Sequence, residues 1–284
     1  MNVRTRQVSS NFFAMCLVLL AAQAAAQEVP SQVPRSGKDY MPTAVYSAEE
    51  DSEILKLFAG LRVSDVSDGM DKAGFPGIGL VAPSILPLWT DLKNFSHRFA
   101  GIAVTARYVP TQKPHAGKRA PEDFDRWEGE FYSQYSSEPY ADLIRPGTAL
   151  VIDDVEEADI GTIGSYNIME WKRRGCVGVV TDAAARDTDE IAIEKIPLYM
   201  RRRGRGIRPG RNEIESVNRP VSIGGVLVRP GDVVIADGDG VIVVPRAQAR
   251  TVAAFARQVM ESDKAGRRML YKQMRLPEDI STRK

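Results

Sequence analysis

The chain has 284 residues, of which 43% are hydrophobic and 26% are charged, a composition typical of a globular protein. Its 38 Lys and Arg residues nearly balance its 37 Asp and Glu residues, so the net charge of +1 does not indicate nucleic acid or another polyanion as a partner. A chain of this length is expected to form one large domain with an elaboration, or at most two domains.

The first 26 residues have the pattern of a signal peptide. Arg4 and Arg6 precede an apolar run at residues 12–22, and a small-x-small cleavage pattern ends at Ala26. The apolar run is short for a membrane span, and an uncleaved N-terminal anchor is the alternative interpretation. We therefore expect a periplasmic or secreted protein with no stable membrane association after the signal peptide is cleaved.

The next segment, residues 27–47, is rich in proline and polar residues and is predicted to be an extended arm or linker. Apolar residues recur at helical spacing from residue 48, so two helices are predicted, the second at residues 66–72. Asp65 and Asp68 are interpreted as helix caps, with an approach to a functional site as the alternative. The main domain is predicted to span residues 48–246.

Residues 98–109 alternate in polarity and include several β-branched residues, a pattern that predicts a strand. A long irregular stretch with many aromatic residues follows at 110–144, and we interpret this insertion as a lid or a subunit contact. His97 and His115 are the only histidines of the chain, and neither has a partner at metal-ligand spacing. A structural or surface role is expected for both, and no zinc site is indicated.

A strand–helix–strand unit is predicted next. Residues 145–153 form a turn and a buried strand, Gly164 opens an amphipathic helix that ends at Gly175, and residues 177–180 form a second apolar strand. A right-handed parallel crossover would place the Gly164 turn and the end of the second strand at one edge of the sheet. Cys176 is interpreted as a buried apolar residue, and as the only cysteine after the signal peptide it forms no internal disulfide.

Two adjacent charged residues, Arg186 and Asp187, follow the second strand at its carboxyl end, where open α/β sheets usually bind ligands. The planar guanidinium of Arg186 can donate two hydrogen bonds to a carboxylate or keto acid. The carboxylate of Asp187 offers the hard oxygen that Mg²⁺ prefers. The pair suits a 2-oxo acid, and a surface ion pair without function is the alternative.

Residues 196–200 form another apolar strand, and the arginine-rich run at 201–211 is predicted to be a solvated loop with one or two arginines near an acidic substrate. Phosphate or nucleic-acid binding is the alternative, but no aromatic stacking platform accompanies the run. Residues 221–245 are predicted to form antiparallel hairpins, with Asp237 and Asp239 in turns rather than in a calcium loop. A C-terminal helix and tail are predicted at 247–284.

The region around the Arg-Asp pair resembles the signature of the RraA-like family, a glycine followed after about 20 residues by R-D-x-x-[DE]. Four residues match that signature: Gly164, Arg186, Asp187 and Glu190. Similarity to the family extends over most of residues 55–246. The family includes 4-hydroxy-4-methyl-2-oxoglutarate aldolases and oxaloacetate decarboxylases. Ala183 stands where the family usually has glycine, a departure that concerns substrate identity more than reaction type.

The resemblance implies an α/β protein with the family's swivelling β/β/α layers, in which a parallel βαβ core is joined to antiparallel hairpins. It also implies a homotrimer or homohexamer. The family's sites lie between subunits and use an acidic residue of the neighbouring subunit, for which Glu261 is the candidate here.

The implied function is a divalent-metal-dependent lyase that cleaves a carbon–carbon bond of a 2-oxo acid through a pyruvate enolate, by retro-aldol cleavage, decarboxylation of oxaloacetate, or both. Asp187 would hold Mg²⁺, Mn²⁺ or another divalent cation, and Arg186 would fix the keto oxygen and carboxylate. The turn that would bind the other carboxylate oxygen through backbone N–H groups contains four residues: Gly164, Ser165, Tyr166 and Asn167. The alternatives are a non-catalytic regulator or scaffold of the same fold and an exported acid-binding protein without a metal.

Overall fold

The computed structural model describes most of the chain: residues 41, 43–114, 116–155 and 159–283. The predicted signal peptide (1–26), residues 27–40 of the predicted arm and His115 lie outside these ranges. Within the described ranges, no helix combines the length and the apolar character that crossing a membrane requires.

The helices follow the local signals in their sequences. The described residues contain six α-helices: α1 (Ala48–Phe58), α2 (Val63–Lys72), α3 (Pro121–Gln134), α4 (Ser165–Arg174), α5 (Thr188–Ile193) and α6 (Ala249–Met274). Ser47 caps α1 by accepting a hydrogen bond from the Glu50 N–H at 3.1 Å. Gly175 ends α4 in the left-handed conformation, at a φ of 113° that glycine adopts without steric cost. The predicted helices α1, α2, α4 and α6 are confirmed, whereas α3 and α5 were not predicted.

Ten strands account for the sheets of the described residues. They are β1 (Leu86–Pro87), β2 (Phe99–Pro110), β3 (Thr148–Asp153), β4 (Cys176–Ala185), β5 (Leu198–Arg203), β6 (Asn212–Val217), β7 (Val221–Ile223), β8 (Val226–Val228), β9 (Val233–Asp237) and β10 (Gly240–Val244). β7 with β8 and β9 with β10 form the antiparallel hairpins that the sequence predicts. β1 and β6 were not predicted.

The main sheet is mixed and nearly closed. β2, β3, β4 and β5 are neighbours and run parallel. β9 pairs antiparallel with the first part of β2 and β6 with its second part, and β10 extends the sheet beyond β9. β1 pairs with β5, and Leu80 bridges to Ile242 of β10, so the segment before β2 nearly joins the two edges. The parallel βαβ unit and the hairpins are arranged as predicted.

Three clusters of buried side chains hold the layers together. Trp171 of α4 packs with Leu150 and other side chains on one face of the parallel strands. Ile223 of the β7–β8 hairpin packs with Val180 on the opposite face. α1, α2 and α6 pack against β9 and β10, with Val252 fully buried between them. Burial of one such apolar side chain contributes about 1.5–3 kcal/mol to the free energy of folding. Packing of these buried faces therefore stabilises the β/β/α order of the layers.

The prediction of an irregular insertion at residues 110–144 is wrong, because the segment contains α3. Pro121 lies in the first turn of α3, where its missing N–H leaves no intrahelical hydrogen bond unmade. Phe124, Trp127 and Phe131 recur at helical spacing, with successive ring centroids 5.4 and 5.7 Å apart. A short 3₁₀ helix follows at Pro139–Leu143.

The prediction of a solvated basic loop at residues 201–211 is also wrong in part. Arg201 to Arg203 belong to β5, whose last residue pairs with Ala185 at the end of β4. Arg208 is only 5% exposed. Its charge is accommodated by Glu138, 2.7 Å away, and by the Tyr108 ring, whose centroid lies 5.4 Å from the guanidinium.

Candidate active site

Two chain segments meet at the carboxyl edge of the parallel strands. Ile163 forms a parallel bridge with Ala185, the last residue of β4, and the Arg186 N–H donates to the Ile163 carbonyl at 2.8 Å. The next residue after Ile163 is Gly164, the N-cap of α4. The Gly164 turn therefore lies beside the Arg186 and Asp187 pair, as the parallel crossover predicts.

Asp187 is fixed by its backbone and by its side chain. Its φ of 55° lies in the left-handed region, which costs free energy for a residue with a Cβ and persists only where the surrounding structure holds it. Its Oδ2 accepts a hydrogen bond from the Ser165 N–H at 3.2 Å and lies 3.8 Å from the Arg186 Nε. Residues with strained backbone dihedrals of this kind cluster at functional sites.

Arg186 lies close to two glycines, Gly161 and Gly164. A Cβ placed on Gly161 would be 2.6 Å from the Arg186 Cβ, and one placed on Gly164 would be 3.0 Å from the Asp187 Oδ2. The Arg186 side chain is 35% exposed, so its guanidinium reaches solvent beside the turn. Gly161 was not predicted as a site residue, although its spacing of three residues before Gly164 is a signal that the sequence carries.

The three polar residues of the turn have different surroundings. Ser165 holds Asp187 through its backbone N–H. The side-chain amide of Asn167 donates a hydrogen bond to Glu138. The Tyr166 side chain is 83% exposed on the first turn of α4, and its contact with a substrate stays a prediction. The N–H groups of Tyr166 and Asn167 belong to the first turn, for which a helix provides no acceptor, so they are available to an anion.

Glu138, from the insertion, fixes the first turns of α4. One carboxylate oxygen accepts hydrogen bonds from Asn167 and from Arg208, and the other accepts one from the Trp171 indole at 3.1 Å. Arg208 also donates to the Tyr108 hydroxyl at 2.7 Å. No sequence pattern marks Glu138, because the contact with Asn167 joins elements 29 residues apart.

A second buried polar group supports the segment that leads into the turn. Asp154 accepts hydrogen bonds from the Thr162 hydroxyl and from the Asn212 amide, the latter at 2.9 Å. Burial raises the pKa of the Asp154 carboxyl, against the opposite effect of these hydrogen bonds. These hydrogen bonds hold the Thr162 side chain, which follows Gly161 in the chain. The network therefore fixes the path of the backbone beneath Arg186.

The donor set fits a magnesium or manganese ion held by one protein carboxylate. In the described ranges, no three His, Cys, Asp or Glu side chains form a cluster able to enclose a metal. Asp187 is 40% exposed, and its Oδ1 accepts no hydrogen bond from a described residue. Mg²⁺ in proteins usually keeps several waters and takes one or two carboxylates together with oxygens of the substrate. A single accessible carboxylate beside an arginine meets that requirement.

The fold and the site define a mixed α/β protein. An arginine and an aspartate lie at the carboxyl edge of its parallel strands. Residues 63–243 match the RraA-like family, described as Aldolase/RraA, and the chain belongs to this family. The protein DlpA of Legionella pneumophila is 27% identical over 220 residues, which cover 76% of this chain and 32% of DlpA. A protein of Halalkalibacterium halodurans named "Putative 4-hydroxy-4-methyl-2-oxoglutarate aldolase" is 32% identical over 126 residues, or 44% of this chain and 59% of that protein.

Solved structures share the fold at low sequence identity. RraAS2 of Streptomyces coelicolor, described as an unusual member of the RNase ES inhibitor RraA protein family, has a TM-score of 0.62 at 21% identity and covers 77% of this chain and 98% of its own. An uncharacterized protein of Pseudomonas syringae has a TM-score of 0.60 at 24% identity. The match covers 83% of this chain and 96% of that protein. These similarities establish the RraA-like fold and leave activity to the residues of the site.

Proposed function

We propose that the protein is a divalent-metal-dependent lyase that cleaves a carbon–carbon bond of a 2-oxo acid through a pyruvate enolate. The substrate is a 4-hydroxy-2-oxo acid, cleaved by retro-aldol reaction, or oxaloacetate, which is decarboxylated. The observation that carries the proposal is the placement of Arg186 and Asp187 beside the first turn of α4, with the Asp187 carboxylate held by the Ser165 N–H. Membership of the Aldolase/RraA family and the names of several relatives support it.

Arg186 and the turn bind the two polar ends of the 2-oxo acid group. The guanidinium donates to the keto oxygen and to one carboxylate oxygen, for which its planar fork is suited. The N–H groups of Tyr166 and Asn167 donate to the other carboxylate oxygen at the positive end of α4. Fixed donors of this kind stabilise the negative charge that develops on the keto oxygen as the bond breaks.

The reaction balances without an oxidant or reductant. In the retro-aldol case, a water held at the site removes the hydroxyl proton and the carbon–carbon bond next to that hydroxyl breaks. The hydroxyl-bearing carbon leaves as an aldehyde or ketone, and the electron pair of the broken bond forms the enolate, with its negative charge on the keto oxygen. In the oxaloacetate case, the same electron pair is released when CO₂ leaves. The enolate then takes a proton on carbon to give pyruvate.

Asp187 is the residue that would hold Mg²⁺ or Mn²⁺, directly or through water. When bound, the ion supplies Lewis-acid polarisation of the keto oxygen. The assembly is proposed to be a homotrimer or homohexamer, in which a neighbouring subunit completes the site with an acidic residue.

Pyruvate release from a panel of 4-hydroxy-2-oxo acids and oxaloacetate tests the proposal. We expect release with Mg²⁺ or Mn²⁺, loss of activity after chelation, and recovery when the ion is restored. Rates with the ion alone are subtracted, because divalent cations also promote decarboxylation of free oxaloacetate. Full turnover after exhaustive chelation would overturn metal dependence. Absence of pyruvate with every substrate would overturn the lyase and favour a regulator or scaffold.

We also propose that residues 1–26 direct export to the periplasm or the medium and are then removed, which the Arg4, Arg6 and small-x-small pattern supports. The exported protein is expected to begin near Gln27. N-terminal sequencing of the exported material measures this, and retention of Met1 would contradict it.

A further inference from the structure

A cavity lies away from the βαβ unit. It is bounded by the α1–α2 connection, the start of β2 with the turn before it, α6, and the C-terminal tail that follows α6. Its volume is about 670 Å³. Pockets that hold small organic ligands typically enclose about 300–1,000 Å³, so the cavity is of the right size for one.

The inner part of the cavity is apolar. Phe58, Phe99 and Met260 line it and are between 1% and 8% exposed. These side chains come from α1, β2 and α6, which belong to the packed core of the domain. A rigid apolar surface of this kind favours the hydrocarbon part of a ligand over water.

The rim of the cavity carries an excess of positive charge. Arg62 is balanced by Asp65 and by Asp263, whose carboxylate lies 2.9 Å from the guanidinium. The other cations of the rim are Arg98, Lys264 and Arg267. Across the described part of the chain, no carboxylate lies within 4 Å of these three, and the Asp279 carboxylate interacts with Arg267 at longer range. Lys264 and Arg267 donate to uncharged oxygens, including the Arg283 carbonyl and the Ser281 hydroxyl.

Arg98 shows the strongest sign of a missing partner. Its Nε is buried, and no acceptor within the described ranges reaches it. Its guanidinium lies 3.7 Å from the centre of the Phe95 ring. Phe95 itself has a φ of 56°, which is uncommon for a bulky residue and concentrates at ligand sites. A buried donor without a protein acceptor is destabilising unless a ligand or a water molecule satisfies it.

We propose that this cavity binds a small monocarboxylate with an apolar body, such as a medium-chain or aryl acid. The carboxylate accepts hydrogen bonds from Arg98, and Lys264 and Arg267 add to the positive field at the rim. The apolar body packs on Phe58 and Met260. The inference does not depend on the lyase reaction, because none of the residues that line the cavity belongs to the Gly164 turn or the Arg186 and Asp187 pair.

Titration calorimetry of the full-length mature protein with octanoate and with octan-1-ol tests the proposal. The two probes have the same chain length and differ in the charge of the head group. We expect saturable binding of one octanoate per chain and at least tenfold weaker binding of the alcohol. Equal affinity for both probes, or no octanoate binding, would overturn the proposal.

Arg98→Met separates the role of the guanidinium from that of the cavity wall, because methionine can still pack on Phe95. We expect octanoate affinity to fall by about tenfold to a hundredfold, the range typical of a hydrogen bond to a charged group. Arg126→Met removes an exposed arginine of α3 and should leave the affinity unchanged. If Arg98→Met does not fold, Arg267→Met provides the test and should weaken octanoate alone. Unchanged affinity in the folded variant would refute the site.

Discussion

Arg186 and Asp187 are adjacent in sequence but are proposed to bind different groups. In the proposed reaction Arg186 would donate to the substrate and Asp187 would hold the cation. The Asp187 carboxylate is itself held by the Ser165 N–H at 3.2 Å. Their own ion pair is weak, since the Nε and Oδ2 are 3.8 Å apart and both side chains are partly exposed. Such a pair contributes about 0–1 kcal/mol to stability, so each residue can be replaced with the fold intact.

Replacement of each residue separates the two roles. Arg186→Lys keeps the charge but loses the planar fork, so turnover should fall by about a hundred- to a thousandfold, the cost of losing one donor to a developing oxyanion. Asp187→Asn should weaken binding of the ion, so excess Mg²⁺ should restore this variant in part and leave Arg186→Lys unchanged. Initial rates over a Mg²⁺ titration measure both effects.

Melting temperatures of the two variants provide the control and should stay near that of the wild type. Wild-type rates in both variants would mean that the pair is structural, and the regulator or scaffold would become the leading proposal.

Gly161 provides the space for the Arg186 side chain. Gly161→Ala would place a Cβ 2.6 Å from the Arg186 Cβ, so the arginine must move. Misplacement of a catalytic group by about 1 Å can cost a hundredfold in rate, and we expect a loss of that order. Gly129→Ala is the matched control, because a Cβ there meets no atom within 4 Å. Equal rates in the two variants would show that the position of Arg186 tolerates the change.

At the scale of elements, the sequence predicts best those helices and strands whose contacts are made by residues close together in the chain. The βαβ unit, both hairpins and α6 were predicted because each is encoded by its own periodicity and turn residues. The Arg186 and Asp187 pair was predicted beside the Gly164 turn because parallel strands share an edge. These inferences need only neighbouring residues and the geometry of a crossover.

The failures share a different physical cause. The basic sequence neighbours of Arg208 predict a solvated loop, but Glu138 and two tyrosine rings make its burial possible. The aromatic residues of α3 are compatible with a loop surface, but in the structure they form one face of a helix. Glu138 and Gly161 act through distant contacts, which one sequence does not display. The sequence alone therefore does not predict hydrogen bonds and ion pairs between polar groups that are far apart in the chain.

The buried Asp154 gives the connection from β3 to α4 a dependence on pH. Its folded-state pKa is raised by burial above the value of about 3.9 in an unfolded chain. As the pH rises from about 3.9, the unfolded carboxyl ionises first, so the free energy of unfolding falls until the pH passes the folded pKa. Asp154→Asn lacks this effect and keeps one oxygen that can accept the hydrogen bond from the Asn212 amide.

Denaturant unfolding of wild type and Asp154→Asn between about pH 3.5 and 7 measures the difference. The stability of the wild type relative to the variant should decline by about 1.4 kcal/mol for each unit by which the folded pKa is raised. A relative stability that rises with pH would contradict the assigned direction.

At the scale of the whole molecule, two exposed apolar side chains lie near the site. Tyr166 of α4 is 83% exposed and Ile193 of α5 is 80% exposed. We expect a neighbouring subunit to cover them in a homotrimer or homohexamer. Ile193→Glu should shift the assembly towards monomers, as measured by light scattering after gel filtration. Glu122→Lys, on the exposed surface of α3, should not. A monomeric wild type would contradict the assembly.

The pairing of β2 with β9 has a consequence for how the chain folds. Ile102 pairs with Val233, so residues nearly half the chain apart must meet before the centre of the sheet is complete. Contacts of such high sequence separation form slowly, because the entropy of closing the intervening loop is lost before the contact stabilises it. Until the C-terminal part of the chain is present, the edge of β2 that later receives β9 is open to pairing with other chains. The order in which residues emerge therefore sets when this protein can acquire its sheet.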